Sequence, residues 1–290
     1  MSLTIDELND TLGRGAGPEL ATQIAARLDP AAPADWRNLA AVLAARGRVG
    51  VTGISGAQGS GKSTLAQLLV AADELAGASA AGCSLDDFYL THEERGALGR
   101  TVHPLLATRG VPGTHDVRLA MGTLDGLARA QTTRIPVFDK GRDDRLPVDA
   151  WEAVTGPVSR VVFEGWCLGA TPQPAESLTT PINQLEAGED ADGSWRRYVN
   201  GALAERYLAL WERVDYLVYL QVPDFAAVAR WRGQAEGQLP LARQMDRAAL
   251  SRFLAHYERL TRWMLETLPQ RADLVVKLDP DHTLASISAD

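Results

Sequence analysis

One short stretch of the chain has the residue types and spacing that hold a chain of phosphates. Residues 56–63 read GAQGSGKS and match the pattern G-x-x-x-x-G-K-[ST] at every fixed position. Glycines let the backbone curl so that successive amide N–H groups point inward, while Lys62 adds a positive charge and Ser63 a hydroxyl for Mg²⁺. The stretch predicts binding of a nucleotide with Mg²⁺, and by itself it does not distinguish a kinase from an ATPase or a GTPase. The predicted nucleotide-binding residues are Gly56, Ala57, Gln58, Gly59, Ser60, Gly61, Lys62, Ser63 and Thr64.

Acidic residues follow two short apolar runs elsewhere in the chain. Asp86 and Asp87 come after residues 81–85, and Glu164 comes after residues 161–163. A carboxylate in such a place can accept a proton from a hydroxyl group or hold a metal ion through water. We expect Ser63 and Glu164 to form the Mg²⁺ site. The structural alternatives are a pair of turn-capping aspartates and a glutamate that pairs with a nearby arginine.

Short apolar runs alternate with amphipathic segments along most of the chain. The runs are predicted strands, and they lie at 48–55, 81–85, 161–163, 216–222 and 274–278. The predicted helices lie at 17–28, 35–46, 62–75, 116–130, 200–213, 223–237 and 247–267. Such alternation is typical of a mostly parallel sheet with helices on both faces. The predicted fold class is α/β: a three-layer α/β/α P-loop NTPase with a mostly parallel five-stranded sheet.

The point at which this alternation of strands and helices begins suggests how the chain is divided. Residues 1–47 show only helical periodicity and are interpreted as a helical N-terminal extension. Residues 48–290 then form the P-loop domain. Within it, residues 170–199 are rich in Pro, Thr, Glu, Asp and Gly, which predicts an insertion or surface excursion.

Composition argues against several classes of partner. The net charge is −8 at a pI near 5.2, so the surface would repel a nucleic-acid backbone, and we expect no nucleic-acid partner. The two cysteines, Cys83 and Cys167, show no metal-ligand spacing, which argues against zinc and against a disulfide framework. No apolar run reaches the roughly 20 residues of a membrane span, and no signal peptide is evident. We therefore expect no membrane partner and a cytoplasmic location.

Four further blocks of sequence resemble one family. They read SLDDFYL at 84–90, LLATRGVPGTHD at 105–116, PVFDKGRDDR at 136–145 and FEGWCLG at 163–169. Together with the phosphate loop, they resemble the D-glycerate 3-kinase family, within the superfamily of phosphoribulokinase, uridine kinase and pantothenate kinase. The resemblance runs from about residue 48 to the C-terminus.

The resemblance implies a role for each matching position. Asp86 corresponds to the catalytic base, and Lys62, Glu164 and Arg232 complete the expected catalytic set, with Arg230 and Arg232 resembling lid arginines. Where nucleoside kinases have an aromatic residue and a histidine, this chain has Phe138 and then cations, which suits a carboxylate. The expected substrate-binding residues are Asp87, Tyr89, Arg109, Asp116, Lys140 and Arg145.

The implied activity is transfer of the γ-phosphoryl group of ATP to a small hydroxy acid. The resemblance favours D-glycerate as acceptor and 3-phosphoglycerate as product. Pantothenate, a nucleoside or another polyol acid are the alternative acceptors within the same fold. A nucleotide-dependent switch is a further alternative, but the NKxD segment of guanine-specific switches does not occur in the sequence.

Overall fold

A twisted central sheet organises the molecule, and its strand order places the phosphate loop near the middle. The structure is a computed structural model that describes residues 4–12, 18–238, 240 and 244–289. In chain order the strands are β1 Gly50–Gly56, β2 Ala80–Ser84, β3 Thr132–Ile135, β4 Phe138–Asp139, β5 Asp144–Arg145, β6 Glu152–Thr155, β7 Arg160–Gly165, β8 Tyr216–Gln221, β9 Leu274–Leu278 and β10 Leu284–Ala289. The central sheet has the order β10-β9-β8-β1-β7-β2.

All five strands expected from the sequence lie in this sheet and run parallel to one another. The sheet nevertheless has six strands, because β10 adds an antiparallel edge next to β9. Only Leu284 of β10 is buried, so that strand lacks the apolar run on which the five-strand prediction relied. Two small antiparallel strand pairs, β3 with β6 and the β4–β5 hairpin, lie outside the central sheet.

The helices cover both faces of the sheet, as the fold class predicts. They are α1 Ile5–Leu12, α2 Pro18–Arg27, α3 Ala34–Ala45, α4 Lys62–Leu75, α5 His92–Thr101, α6 Val117–Leu127, α7 Gln184–Glu189, α8 Ser194–Ala202, α9 Leu208–Trp211, α10 Phe225–Gly237 and α11 Arg247–Thr267. A turn of π-helix at Leu203–Tyr207 connects α8 to α9, and a 3₁₀ turn at Leu85–Phe88 follows β2. Helix α5 is absent from the sequence-based prediction, although Thr91 and Glu94 form a capping box at its start.

Alternating side chains of the strands divide the core into two layers. Along β7, Val161 and Phe163 belong to one apolar cluster and Val162 to the other. Because successive strand residues point to opposite faces, these clusters lie on the two sides of the sheet. One cluster is completed by residues of α1–α4, and the other by residues of α6 and α11. This two-sided burial holds the carboxyl ends of the parallel strands at a common edge.

The N-terminal helices pack on the phosphate-loop helix. Residues 1–3 and 13–17 of the predicted extension lie outside the described residues, while α3 lies against α4. The boundary at residue 47 stays a prediction. Residues 170–199 contain α7 and the start of α8, and Glu186 there pairs with Arg259 of α11 at 2.6 Å. Among the described residues, no helix has the length and apolar character needed to cross a membrane.

Candidate active site

The loop between β1 and α4 has the backbone shape that its sequence requires. Gly59 (φ 81°) and Gly61 (φ 89°) are both in the left-handed region, which glycine enters without steric cost. A β-carbon on Gly61 would also lie 3.0 Å from the Trp36 ring. Helix α4 begins at Lys62, so its free backbone N–H groups and positive dipole end open onto the loop. This arrangement can hold the phosphates of a nucleotide.

Ser63 and Glu164 meet where α4 begins and β7 ends near the loop. The Ser63 hydroxyl donates to Glu164 Oε1 at 3.0 Å. Glu164 is almost completely buried, and its Oε2 atom has no hydrogen-bond partner among the residues that the structure describes. A buried, unsatisfied carboxylate oxygen is costly unless a cation or a donor completes it. A hydroxyl and a carboxylate are the hard oxygen ligands that Mg²⁺ prefers, so the pair fits that ion.

Asp86 projects from the 3₁₀ turn after β2 and is held by two donors. Tyr89 Oη donates to its Oδ1 at 2.9 Å, and Lys140 Nζ donates to its Oδ2 at 2.7 Å. Burial alone would raise the pKa of Asp86, but Lys140, together with the charge of Lys62 and the Tyr89 hydrogen bond, outweighs it and lowers the pKa below its usual range. The side chain is therefore ionised at neutral pH.

The neighbouring aspartate has a different environment. Asp87 Oδ1 accepts a hydrogen bond from the Phe138 backbone N–H at 3.1 Å, which connects the turn to the start of β4. Burial, followed by the charges of Asp86 and Glu164, raises the pKa of Asp87 to about 6. Asp87 lines a neighbouring groove between α4 and the β3–β6 strand pair, and this groove shares Ser63 and Glu164 with the pocket that contains Asp86.

A pocket of about 360 Å³ brings most of the expected residues together. Its described lining consists of Gln58, Gly59, Lys62, Ser63, Asp86, Tyr89, Arg109, Lys140, Glu164, Trp166, Arg232, Phe253 and Tyr257. These residues come from the phosphate loop and the start of α4, the segment after β2, the end of β7 and the residue after it, the segment before α6, the β4–β5 hairpin and the helices α10 and α11. The pocket therefore combines phosphate-binding groups, a carboxylate and several cations.

Two of the expected substrate-binding residues have other partners. Asp116 caps α6, where its Oδ1 accepts from Leu119 N at 3.0 Å. Its Oδ2 lies 3.4 Å from Arg145 Nη1, and neither residue is part of the pocket lining. Asp116 and Arg145 support the turn before α6, because each balances the other's charge, and their expected role in substrate binding stays a prediction. Asp87 supports the β4–β5 hairpin through Phe138, and its expected role in substrate binding likewise stays a prediction.

The pocket cations are themselves anchored. Arg109 Nη1 donates to Asp143 Oδ1. Arg232 Nη2 lies 2.7 Å from Glu236 Oε2, and its guanidinium lies over the Phe253 ring at 5.5 Å. Arg232, the expected lid residue, therefore lines the pocket while its side chain is ion-paired with another residue of α10.

Three residues of the pocket are not among the predicted site residues. Phe253 and Tyr257 belong to the apolar face of α11, which periodicity alone assigns to the core, and Trp166 is likewise expected in the core from its sequence. Gly110 gives a signal for one of them, because a β-carbon there would lie 2.2 Å from the Tyr257 hydroxyl. That close approach explains a glycine directly after Arg109.

Two known proteins are similar to this chain over most of its length. No family model matches the chain. It is 33% identical over 253 residues to the chloroplastic D-glycerate 3-kinase of Arabidopsis thaliana, and the match covers 81% of this chain and 51% of that protein. The chain thus spans about half the length of that relative. It is 34% identical over 239 residues to an uncharacterized kinase of Schizosaccharomyces pombe, mug58, with coverage of 79% and 85% respectively.

One solved structure shows the same fold over nearly the whole chain. The D-glycerate 3-kinase from Cryptococcus neoformans superposes with a TM-score of 0.69, and the match covers 99% of both chains. At 22% sequence identity, this likeness concerns the fold alone.

Proposed function

This chain belongs to the D-glycerate 3-kinase family of P-loop kinases, and on that premise we propose that it phosphorylates the 3-hydroxyl of D-glycerate with ATP. The name of the Arabidopsis relative supports the choice of acceptor and product. The observation that best supports the proposal is the shared pocket of Lys62, Asp86 and Lys140. Within this one cavity, Lys62 can bind phosphate, Asp86 can act as a base, and Lys140 can bind the carboxylate of the acceptor.

The phosphate loop would hold the donor. Its backbone N–H groups and the N-terminus of α4 bind phosphate oxygens, and Lys62 neutralises charge on the β- and γ-phosphates. Because these groups are fixed before the nucleotide arrives, binding costs little reorganisation. Gln58 and Gly59 form the wall of the pocket on this side.

Ser63 and Glu164 would hold Mg²⁺. The ion would supply charge neutralisation to the phosphate oxygens during transfer. Ser63 contributes a neutral hydroxyl and Glu164 a buried carboxylate, so the protein itself compensates part of the cation's charge. Glu164 Oε2 supports this assignment, because it is buried and has no hydrogen-bond partner within the described part of the chain.

Asp86 would act as the general base. A bond forms between the acceptor oxygen and the γ-phosphorus, the bond from phosphorus to the β-phosphate oxygen breaks, and the hydroxyl proton passes to Asp86. Lys140 keeps Asp86 ionised before the acceptor arrives. The acceptor's carboxylate then competes for Lys140, and weakening of the Lys140–Asp86 pair makes Asp86 a better proton acceptor.

Arg109 and Arg232 would complete the charge balance. Arg109 lines the same pocket as Lys140, and a planar guanidinium can hold a carboxylate through two parallel hydrogen bonds. Arg232 would stabilise the negative charge that spreads over the transferring phosphoryl group. We further propose a reducing, cytoplasmic location, which the two buried free thiols of Cys83 and Cys167 support.

A panel of acceptors tests the substrate assignment. Initial rates of ADP formation would be measured with D-glycerate, L-glycerate, pantothenate, uridine and no acceptor, at equal concentrations. We expect D-glycerate to give the highest kcat/KM and the reaction without acceptor to be slow. A preference for uridine or pantothenate would contradict the acceptor, and a rate that no acceptor changes would contradict kinase activity.

A further inference from the structure

Asp143, next to the start of β5, gathers three basic side chains. Its Oδ2 atom lies 2.6 Å from Arg95 Nη2 and 3.1 Å from His92 Nδ1, both from α5. Its Oδ1 atom accepts from Arg109, which reaches it from the segment after α5. One carboxylate therefore connects the β4–β5 hairpin to α5 and to a cation of the pocket.

The conformation of Asp143 indicates that a carboxylate is needed at this turn. Its φ of 55° is in the left-handed region, where residues other than glycine are uncommon and Asn and Asp are the best tolerated. The Arg95 side chain beside it is completely buried. A guanidinium in that position needs a counter-charge, which glycine could not supply. Aspartate meets both requirements.

The same cluster fixes the hairpin that carries Lys140. The Phe138 ring lies close to two guanidinium groups, with its centroid 5.5 Å from Cζ of Arg95 and 5.5 Å from Cζ of Arg109. Arg109 Nη2 also donates to the Lys140 carbonyl oxygen at 3.5 Å. Arg109 thus contacts the hairpin at several points, and Lys140 lies between Phe138 and Asp143 in the chain.

We propose that Asp143 is a positioning residue of the acceptor site, which acts through Arg109 to set where the pocket presents positive charge to the acceptor's carboxylate. This inference rests on the proposed function. Asp143 is not part of the pocket lining among the described residues, so it is not itself expected to touch the acceptor. The ligand class is defined by Arg109 and Lys140: a small acid with a hydroxyl group.

Replacement of Asp143 by asparagine separates its charge from its shape. An asparagine at this position tolerates the left-handed backbone and keeps one oxygen acceptor, but it no longer carries a charge that holds Arg109. We expect Asp143→Asn to raise KM for D-glycerate about tenfold, while kcat and KM for ATP change less than about threefold, as for loss of one charge-assisted contact. The matched control is Asp144→Asn, because an asparagine there can still accept from His92 N and Arg145 N. The control should behave like the wild type.

A double-mutant cycle shows whether Asp143 acts through Arg109. If it does, the KM of the double variant Asp143→Asn/Arg109→Ala should equal that of Arg109→Ala alone. The variant Asp143→Glu keeps a counter-charge for the buried Arg95, whose loss would cost more than the left-handed backbone costs a glutamate. It should therefore fold even if Asp143→Asn does not, and its longer side chain should displace Arg109 and raise KM for D-glycerate. Multiplicative effects in the cycle, or equal increases in KM for ATP and acid, would overturn the inference.

The wild-type control separates this inference from the proposed function. Wild-type protein that phosphorylates no acid overturns both. An active wild type together with an unchanged KM for D-glycerate in Asp143→Asn and Asp143→Glu overturns the role of Asp143 alone.

Discussion

Substitution of Asp86 by asparagine removes the proposed base while it keeps the size of the side chain. In the wild type, the two carboxylate oxygens accept from Tyr89 at 2.9 Å and from Lys140 at 2.7 Å. Asparagine can turn its carbonyl oxygen to Lys140 and its NH₂ group to the Tyr89 oxygen, which can accept. The turn after β2 should therefore remain folded.

Asp86→Asn has two costs that can be compared: the loss of the ion pair with Lys140 and the loss of the general base. The Lys140 side chain is 61% exposed, so loss of its ion pair with Asp86 costs at most about 1 kcal/mol. Loss of a general base typically reduces kcat by about 10²–10⁴, which corresponds to about 3–5 kcal/mol of activation free energy. Catalysis should therefore fall far more than ground-state binding or stability.

Steady-state kinetics with D-glycerate would give kcat, and a titration with a non-hydrolysable ATP analogue would give Kd. We expect kcat to fall by about 10²–10⁴ and Kd to change less than about threefold. Asp87→Asn is the matched control, because an asparagine can still accept from Phe138 N. An Asp86→Asn variant that keeps more than about a tenth of kcat, or an Asp87→Asn variant with the larger loss, would refute the base assignment.

Three further substitutions probe other parts of the site. Lys140→Ala should raise KM for D-glycerate about 10–100-fold, the value of one charge-assisted hydrogen bond, with KM for ATP nearly unchanged; equal increases in both would contradict the carboxylate contact. Arg232→Ala should lower kcat by about 10²-fold in the same assay, and an unchanged kcat would exclude a role for Arg232 in phosphoryl transfer. Because burial raises the folded-state pKa of Asp87 to about 6, its ionisation lowers stability as pH rises from about 4 to 6. Asp87→Asn should therefore be as stable as the wild type at pH 4 and more stable by up to about 3 kcal/mol at pH 7, as chemical denaturation would show; a constant difference across this range would contradict the raised pKa.

The features that depend on neighbouring residues in the sequence could be predicted. The helix after the phosphate loop runs from Lys62 to Leu75, as expected, because the loop glycines and the apolar spacing define its ends locally. The α11 bounds of 247–267 also match, since its apolar face repeats over several turns. Strand β10 is missing from the prediction because it is an edge strand with one buried residue, so its sequence shows no clear alternation of apolar and polar residues.

The features that depend on long-range pairing could not be predicted. Asp143 and Arg109 are 34 residues apart, and nothing in their local sequence shows that the two side chains pair. The ion pair of Arg145 with Asp116 likewise joins residues that are distant in the sequence. Helical periodicity places Tyr257 on an apolar face, but one face of α11 serves both the core and the pocket. Charge pairing and pocket lining are decided by the tertiary fold.

Identification of the phosphorylated product tests the proposed reaction most directly. Wild-type protein would be incubated with ATP, Mg²⁺ and D-glycerate and followed by ³¹P NMR, with Lys62→Ala as control. We expect ADP and 3-phosphoglycerate to form in equal amounts with the wild type and neither to form with Lys62→Ala. Release of inorganic phosphate at a rate that D-glycerate does not change, with no phosphorylated acid, would contradict the proposed function.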